Sequence, residues 1–327
     1  MFTTKSKPTV IELFSGAGVF GLAFRDAGAE LVQAYELDKP AVGTYRRNLG
    51  NHVTQCDLNS VSPVGRCDIL IAGPPCQGFS SSGKRSATDP RNQLSRLLPA
   101  WAEKTEPSIV VIENVAPYLN SLVWEENRVA FEKMGYSVDR FLVNARDFGV
   151  PQSRARSITI CTKLEIPDIA RKRRFKPKTV RDAFCGLGAA MDLDSDHIWL
   201  EPTPLALERL SHVPPAGDIR DIAKAAPHLV PESWWKVEGK IIDIWGRLKW
   251  DAPSKTVKAG FHHPSKGRYV HPEFNRLISI REAARLQSIP DSYKFEGTFY
   301  QCARQIGNCV PYKMGKAIAA DIIRSLN

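Results

Sequence analysis

The chain is short of acid: 35 Asp and Glu stand against 45 Lys and Arg in 327 residues, a net charge of +10. That balance points to a polyanionic partner, nucleic acid first among the candidates. Cysteine pairs are missing as well. The seven cysteines, at 56, 67, 76, 161, 185, 302 and 309, are odd in number and contain no Cys-x-x-Cys. Neither a disulfide framework nor a zinc site is suggested, so free thiols in a reducing cytoplasm and no metal are expected. Residues 1–8 lack the apolar stretch of a signal peptide, and no apolar run approaches the roughly 20 residues of a membrane span. A soluble intracellular protein with no membrane partner is expected. No internal repeat or low-complexity segment is evident. A hydrophobic content of 43% with 24% charged residues is globular, in a chain long enough for one large or two ordinary domains.

What is present from residue 9 to 160 is an alternation of apolar runs and helical stretches, which predicts a doubly wound α/β sheet. Runs at Thr9–Phe14, Leu31–Tyr35, Val53–Asp57, Asp68–Ala72, Ser108–Ile112, Tyr136–Asn144 and 152–160 read as strands. From about 192 to 275 periodicity is poor and Pro, Gly, His and Trp are frequent, so a small, irregular domain is expected, with Trp234, Trp235, Trp245 and Trp250 in its core. Regular structure returns at Ser279-Ile280-Arg281-Glu282, a capping box that opens a helix to about Gln287, stopped by Pro290. A last helix is predicted from about Pro311 to Ser325, and Gln305 to Val310 reads as a ligand-compatible corner at a helix start.

Chemistry collects at the strand ends. In an open parallel sheet, ligands bind outside the carboxyl ends of the strands. Gly16, Gly18 and Gly21 form a G-x-G-x-x-G turn after the first strand, and Glu36 closes the second strand, where a carboxylate can hold a ribose hydroxyl. NAD, FAD or S-adenosylmethionine would satisfy these residues equally. Asp57, after the third strand, could reach an adenine amino group or cap a turn. The fourth strand leads into Gly73-Pro74-Pro75-Cys76-Gln77-Gly78-Phe79-Ser80, whose two prolines make a stiff mount for a thiol. Cys76 reads as a nucleophile or as a buried structural cysteine. Ser80 to Arg91 is a polar, basic loop of the length of a mobile lid or of a solvated linker. Glu113 ends the fifth strand, where it can serve as a general acid or as a cap. Arg154 and Arg156 alternate onto one face, which is expensive unless they meet an anion or a carbonyl. The run Arg171-Lys172-Arg173-Arg174-Phe175-Lys176-Pro177-Lys178 suits phosphates or a solvated face.

Taken together, these residues resemble the cytosine-C5 DNA methyltransferases. Phe14-Ser15-Gly16-Ala17-Gly18 is similar to the family's cofactor motif, Gly73 to Ser80 to its nucleophile motif, and Glu113-Asn114-Val115 to its acid motif. Gln152-x-Arg154-x-Arg156 is similar to the arginine motif, Arg276 with Arg281 to Gln287 to the motif that follows the recognition region, and Gly307-Asn308-x-Val310 to the last motif. Val19 departs from the family, many of whose members carry another glycine there. The resemblance implies a Rossmann-like, S-adenosylmethionine-dependent methyltransferase sheet with S-adenosylhomocysteine as product. Residues 1–192 with 305–327 would form the catalytic domain, 193–275 a target-recognition domain, and 276–304 a connecting segment. It implies Cys76, Glu113, Arg154 and Arg156 as catalytic residues. Cofactor residues would be Phe14, Gly16, Ala17, Gly18, Glu36, Leu37, Asp57, Leu58, Pro75, Asn308 and Val310. DNA contacts would come from Gln77, Ser80, Ser82, Lys84, Arg85, Arg91 and Thr256.

The implied reaction transfers a methyl group to C5 of a cytosine flipped out of a specific double-stranded DNA sequence, through a covalent bond between Cys76 and C6. A cytoplasmic monomer of a bacterial or phage-infected cell is implied, with a restriction endonuclease as a separate companion. Three other readings stay open at this point: a tRNA cytosine methyltransferase, a catalytically silent DNA-binding protein, and a nicotinamide oxidoreductase, the last of which leaves Cys76, Glu113 and Arg156 unexplained.

Overall fold

A computed structural model describes residues 6–75, 90–167, 169, 175–235 and 243–326. The chain divides into two compact units, one of Met1–Phe148, Ala155–Phe175 and Cys309–Asn327, the other of Gly149–Arg154 and Lys176–Asn308.

Seven strands form the sheet of the first unit: β1 (Thr9–Leu13), β2 (Glu30–Glu36), β3 (Val53–Gln55), β4 (Ile69–Ala72), β5 (Ile109–Asn114), β6 (Ser137–Asn144) and β7 (Ala155–Thr162). Their order is β3-β2-β1-β4-β5-β7-β6. Every residue of β4 and β5 is buried, as expected of continuous apolar runs covered on both faces. The chain moves outward from β1 to β3 and then returns to place β4 on the other side of β1, so a topological switch point lies between β1 and β4. Strands β1 to β5 pair in parallel, whereas β7 runs antiparallel to β5 and β6. That reversal brings the first residues of β7 to the carboxyl edge of the parallel strands.

Helices α1 (Val19–Arg25), α2 (Lys39–Leu49), α3 (Leu98–Thr105) and α4 (Leu122–Lys133) cross between strands. Trp101, Tyr118, Val123, Trp124 and Phe131 pack with Leu70, Val110 and Ile112 in the main core. Helix α3 is preceded by a 3₁₀ stretch over Pro90–Leu97.

The second unit holds α5 (Val180–Phe184), α6 (Pro204–Ser211), α7 (Ile219–Ala225), α8 (Glu232–Trp235), α9 (Ile280–Leu286) and α10 (Phe299–Asn308). Its core gathers Leu210, Ile222, Leu229, Ile244, Trp245 and Val270, with Trp234 packed against it. Trp250 lies apart from that cluster, edge-on to Phe184 and His271. Regular helices are short here, and a buried guanidinium does part of the joining. Arg247 donates to the carbonyls of Leu210, Val213, His271 and Phe274.

The Ser279–Glu282 capping box forms as predicted, and Glu282 also receives both terminal nitrogens of Arg276, each at 2.8 Å. The final helix of the chain, α11 (Tyr312–Ser325), returns to the first unit and packs on α1, where Gly315 lets the two helices approach. One expectation is corrected. Gly307 and Asn308 do not open a helix but close α10. A Cβ on Gly307 would lie 2.1 Å from the backbone nitrogen of Ala259, so the glycine serves a close backbone crossing.

Candidate active site

The glycine-rich turn leaves β1 through Phe14, whose φ of 55° is left-handed, and continues through Gly16 (φ 54°) and Gly18 (φ 81°). These angles let the backbone double back into α1. A Cβ on Gly16 would meet nothing within 4 Å, so there is open space above the turn. Two carboxylates brace the turn from below. Glu36 accepts from the backbone N–H of Gly16 (2.7 Å), Leu37 (2.9 Å) and Asp38 (2.8 Å). Burial raises its pKa, against the lowering effect of those three donors.

Glu12, on β1, accepts from Gly21 at 3.0 Å through one oxygen, while its other oxygen is buried with no hydrogen-bond partner. Desolvation pushes this carboxyl up to about 8. Sequence reading passed over Glu12, although a lone acid inside the apolar run of β1 was its signal. Ser15 Oγ in the same turn is also buried without a partner. Leu37 is 64% exposed beside Glu36, whereas Leu58 and Val310 are buried. Asp57 lies just past β3, and one of its oxygens accepts both the backbone and the side-chain nitrogen of Asn59 at 2.9 Å, so it caps a turn.

At the neighbouring strand ends, β4 stops at Ala72 and the chain turns through Gly73, Pro74 and Pro75. Asn114, which the sequence reading left without a role, donates from Nδ2 to the carbonyl of Pro74 at 3.2 Å. It ties the end of β5 to the stiff turn that leads into Cys76. Beside it Glu113 is 7% exposed, and its Oε2 would stand 3.9 Å from a Cβ on Gly73.

Arg156 comes from β7. Because β7 is antiparallel, Asn114 pairs with Ser157, and the guanidinium falls against Glu113, with Nε 2.8 Å from Oε1. The contact is a close ion pair without an aligned hydrogen bond at that oxygen. Arg154 goes elsewhere. Strand β7 begins at Ala155, so Arg154 lies ahead of it in the second unit rather than on a shared strand face. It is 3% exposed and donates to the carbonyls of Val257 and Gly307, both at 2.9 Å.

Thr256 donates to the carbonyl of Ser153 at 3.1 Å, and Asn308 is exposed at the end of α10. Cys76, Gln77, Ser80, Ser82, Lys84 and Arg85 lie outside the described residues, as do Arg171 to Arg174 and the side chains of Arg91 and Trp235. Among the described residues no group of three or more His, Cys, Asp or Glu could hold a metal, and no helix is long and apolar enough to cross a membrane.

Solved structures share this architecture. A candidate DNA modification methyltransferase encoded within an E. coli prophage aligns over 98% of this chain and 100% of its own, with a TM-score of 0.71 and 26% identity. The Entamoeba histolytica methyltransferase EhMeth aligns over 99% and 100%, with a TM-score of 0.69, and at 17% identity it speaks for the fold alone. Fold and strand-end site thus define a Rossmann-like methyltransferase. A model of the family described as C-5 cytosine-specific DNA methylase matches residues 8–324, and the chain belongs to that family. Among its relatives are the Type II methyltransferase M1.HphI of Haemophilus parahaemolyticus, 34% identical over 97% of this chain and 87% of that protein, and the Type II methylase M.HgiDII of Herpetosiphon aurantiacus, 31% identical over 97% and 95%.

Proposed function

We propose that this enzyme transfers a methyl group from S-adenosylmethionine to C5 of a cytosine flipped out of a specific duplex DNA sequence, through a transient bond from Cys76 to C6. The observation that carries the reading is the Glu113–Arg156 ion pair, 2.8 Å long, held at the carboxyl edge of the sheet beside the turn that leads into Cys76. An acid, a cation and a thiol are the groups this chemistry needs. Addition of the thiolate to C6 makes C5 nucleophilic. Glu113 hands a proton to N3 as charge develops there, and Arg156 steadies both Glu113 and the pyrimidine O2. Loss of the C5 proton lets Cys76 leave.

The glycine turn fits the cofactor. It has open space above Gly16 and a buried, unpartnered Ser15 hydroxyl, while three donors leave the Glu36 carboxylate a free lone pair for a ribose hydroxyl. Phe14, Ala17, Gly18, Leu37, Asp57, Leu58 and Pro75 are assigned to the same site. When bound, S-adenosylmethionine supplies the electrophilic methyl group. Residues 193–275 are assigned to sequence reading, and the enzyme is taken to act as a cytoplasmic monomer, with any restriction endonuclease a separate protein. The family and the Type II relatives favour duplex DNA over tRNA.

The test is a duplex carrying 5-fluorocytosine in place of cytosine, incubated with enzyme and cofactor. A covalent adduct is expected with the natural chain and none with Cys76→Ala. Methylation of ordinary DNA by Cys76→Ala at the natural rate would overturn the assignment. Methyl transfer to tRNA but not to duplex DNA would overturn the substrate.

A further inference from the structure

Beneath the glycine turn lies an acid that the proposed chemistry does not use. Glu12 pairs with Ala34 across β1 and β2. Paired residues of a parallel sheet project to the same side, so Glu12 and Glu36, two positions beyond Ala34, leave the same face. A Cβ on Gly21 would collide with Glu12 Oε2, so the glycine is what lets α1 close over this carboxyl.

The two acids are provided for unequally. Glu36 accepts three backbone N–H groups, enough to hold a negative charge. Glu12 is 2% exposed and accepts one, from Gly21, while its Oε2 is buried with no partner. A second charge there would be stripped of water and set beside the first, so the proton of the pair belongs on Glu12. Burial, with the Glu36 charge adding to it, pushes the Glu12 carboxyl up to about 8 against the Gly21 N–H. Its neighbour on β4 is Ile71 and its neighbour on β2 is Ala34. Helix α1 has no acid in its first turn and carries its basic residue, Arg25, in the last. Among the described residues no ion pair reaches Glu12, and Glu36 is the charged group that faces it.

The turn resting on these two acids is the one assigned to the cofactor. S-adenosylmethionine carries a sulfonium, whereas S-adenosylhomocysteine lacks that methyl group and its positive charge. We propose that Glu12 is a specificity-determining residue that selects the charged methyl donor over the uncharged product: it keeps its proton in the empty protein and with S-adenosylhomocysteine bound, and releases it to solvent when S-adenosylmethionine binds. The inference rests on the S-adenosylmethionine reading of the glycine turn. A cation in a buried site favours the ionised form of a nearby carboxyl, and by linkage the ionised carboxyl binds the cation more tightly. No heavy-atom bond changes at this residue. The carboxylic acid becomes a carboxylate, one proton passes to the buffer, and the proton returns once methyl transfer has removed the sulfonium charge.

The experiment is calorimetric titration of each ligand into the DNA-free protein at about pH 7.5, repeated in buffers of different ionisation enthalpy, for the natural chain and Glu12→Gln. The variant keeps the side chain's volume and subtracts the protons exchanged by the ligand itself. The natural chain should release about half a proton more than Glu12→Gln on binding S-adenosylmethionine, and no more than the variant on binding S-adenosylhomocysteine. Its preference for donor over product should rise about tenfold between about pH 6 and 9, relative to that of the variant. In the natural chain alone, infrared difference spectra should lose a protonated-carboxyl band when the donor binds and keep it when the product binds. A band that survives donor binding overturns the proposal, whether or not the variant folds. A folded Glu12→Gln with the natural proton count and the natural donor preference overturns it as well. If the natural chain binds neither ligand, the cofactor reading itself falls, and this inference with it.

Discussion

Replacing Glu113 by glutamine and by alanine separates the two services this residue is assigned. Glu113→Gln keeps the volume of a side chain that is 7% exposed and leaves an uncharged amide oxygen facing Arg156. Lost are the negative charge opposite the guanidinium and the proton that could be handed to N3. An amide N–H can still donate a hydrogen bond to N3 without transferring a proton. The contact with Arg156 changes from an ion pair to one between the guanidinium and a neutral amide, a stability loss of about 2 kcal/mol. In a protein of this size that lowers the melting temperature by about 3 °C.

General acid catalysis contributes about 10²- to 10⁴-fold. Glu113→Gln should therefore sit near the lower end of that loss in single-turnover methyl transfer and Glu113→Ala near the upper end, a barrier increase of roughly 3–5 kcal/mol. Single-turnover rates with saturating DNA and cofactor, alongside melting curves and cofactor titrations, provide the check. A folded Glu113→Gln that transfers methyl within fivefold of the natural rate would refute the assignment of proton transfer. Equal losses for the two variants would refute the hydrogen-bond share.

Asn114→Ala frees the Pro74 carbonyl at a cost of about 1 kcal/mol, and single-turnover rate should fall at least about tenfold as the turn ahead of Cys76 loses its tether, while cofactor affinity stays unchanged. His271, stacked on Phe184 and Phe274, accepts two backbone N–H groups at Nδ1, and burial lowers its pKa to about 4 despite the Glu282 carboxylate 3.6 Å from its other nitrogen. Its stabilising contribution is complete above the unfolded value near 6.5 and is lost as pH falls toward 4, on the order of 3 kcal/mol. Denaturant unfolding of the natural chain minus His271→Asn should show that difference shrink across the window, and a constant difference would refute it. Glu12 works in the opposite direction. Its folded pKa of about 8 lies above the ordinary carboxyl value of 4.5, so its contribution is full below 4.5 and is lost as pH rises through 8. Glu12→Gln should therefore flatten the alkaline side of the stability curve. Gly307→Ala places a Cβ 2.1 Å from the Ala259 nitrogen and 2.4 Å from its Cα, where only backbone could yield, and should cost about 3 kcal/mol by denaturant unfolding.

Much of the site was legible because its motifs are short and lie at the ends of apolar runs. The runs of β4 and β5 read as buried strands, so Pro74-Pro75 and Glu113 stand at strand ends, and G-x-G-x-x-G followed by Glu36 placed a glycine turn at the first crossover. The capping box at Ser279 was equally local. Partners distant in sequence could not be read this way. Arg154 and Arg156 look alike in the chain, yet one meets a carbonyl 103 residues away and the other meets Glu113, because β7 starts between them and runs antiparallel. Gly307 seemed suited to starting a helix, whereas the close passage of Ala259 places it at a helix end. The tether from Asn114 and the hydrogen bond from Gln152 to Gln287, 135 residues apart, have no periodic signature. The sequence by itself determined which chemistry stands at each strand end, since burial and backbone stiffness are written in runs of a few residues. Tertiary structure alone decided which polar groups face one another, because a hydrogen bond depends on where two distant backbones cross.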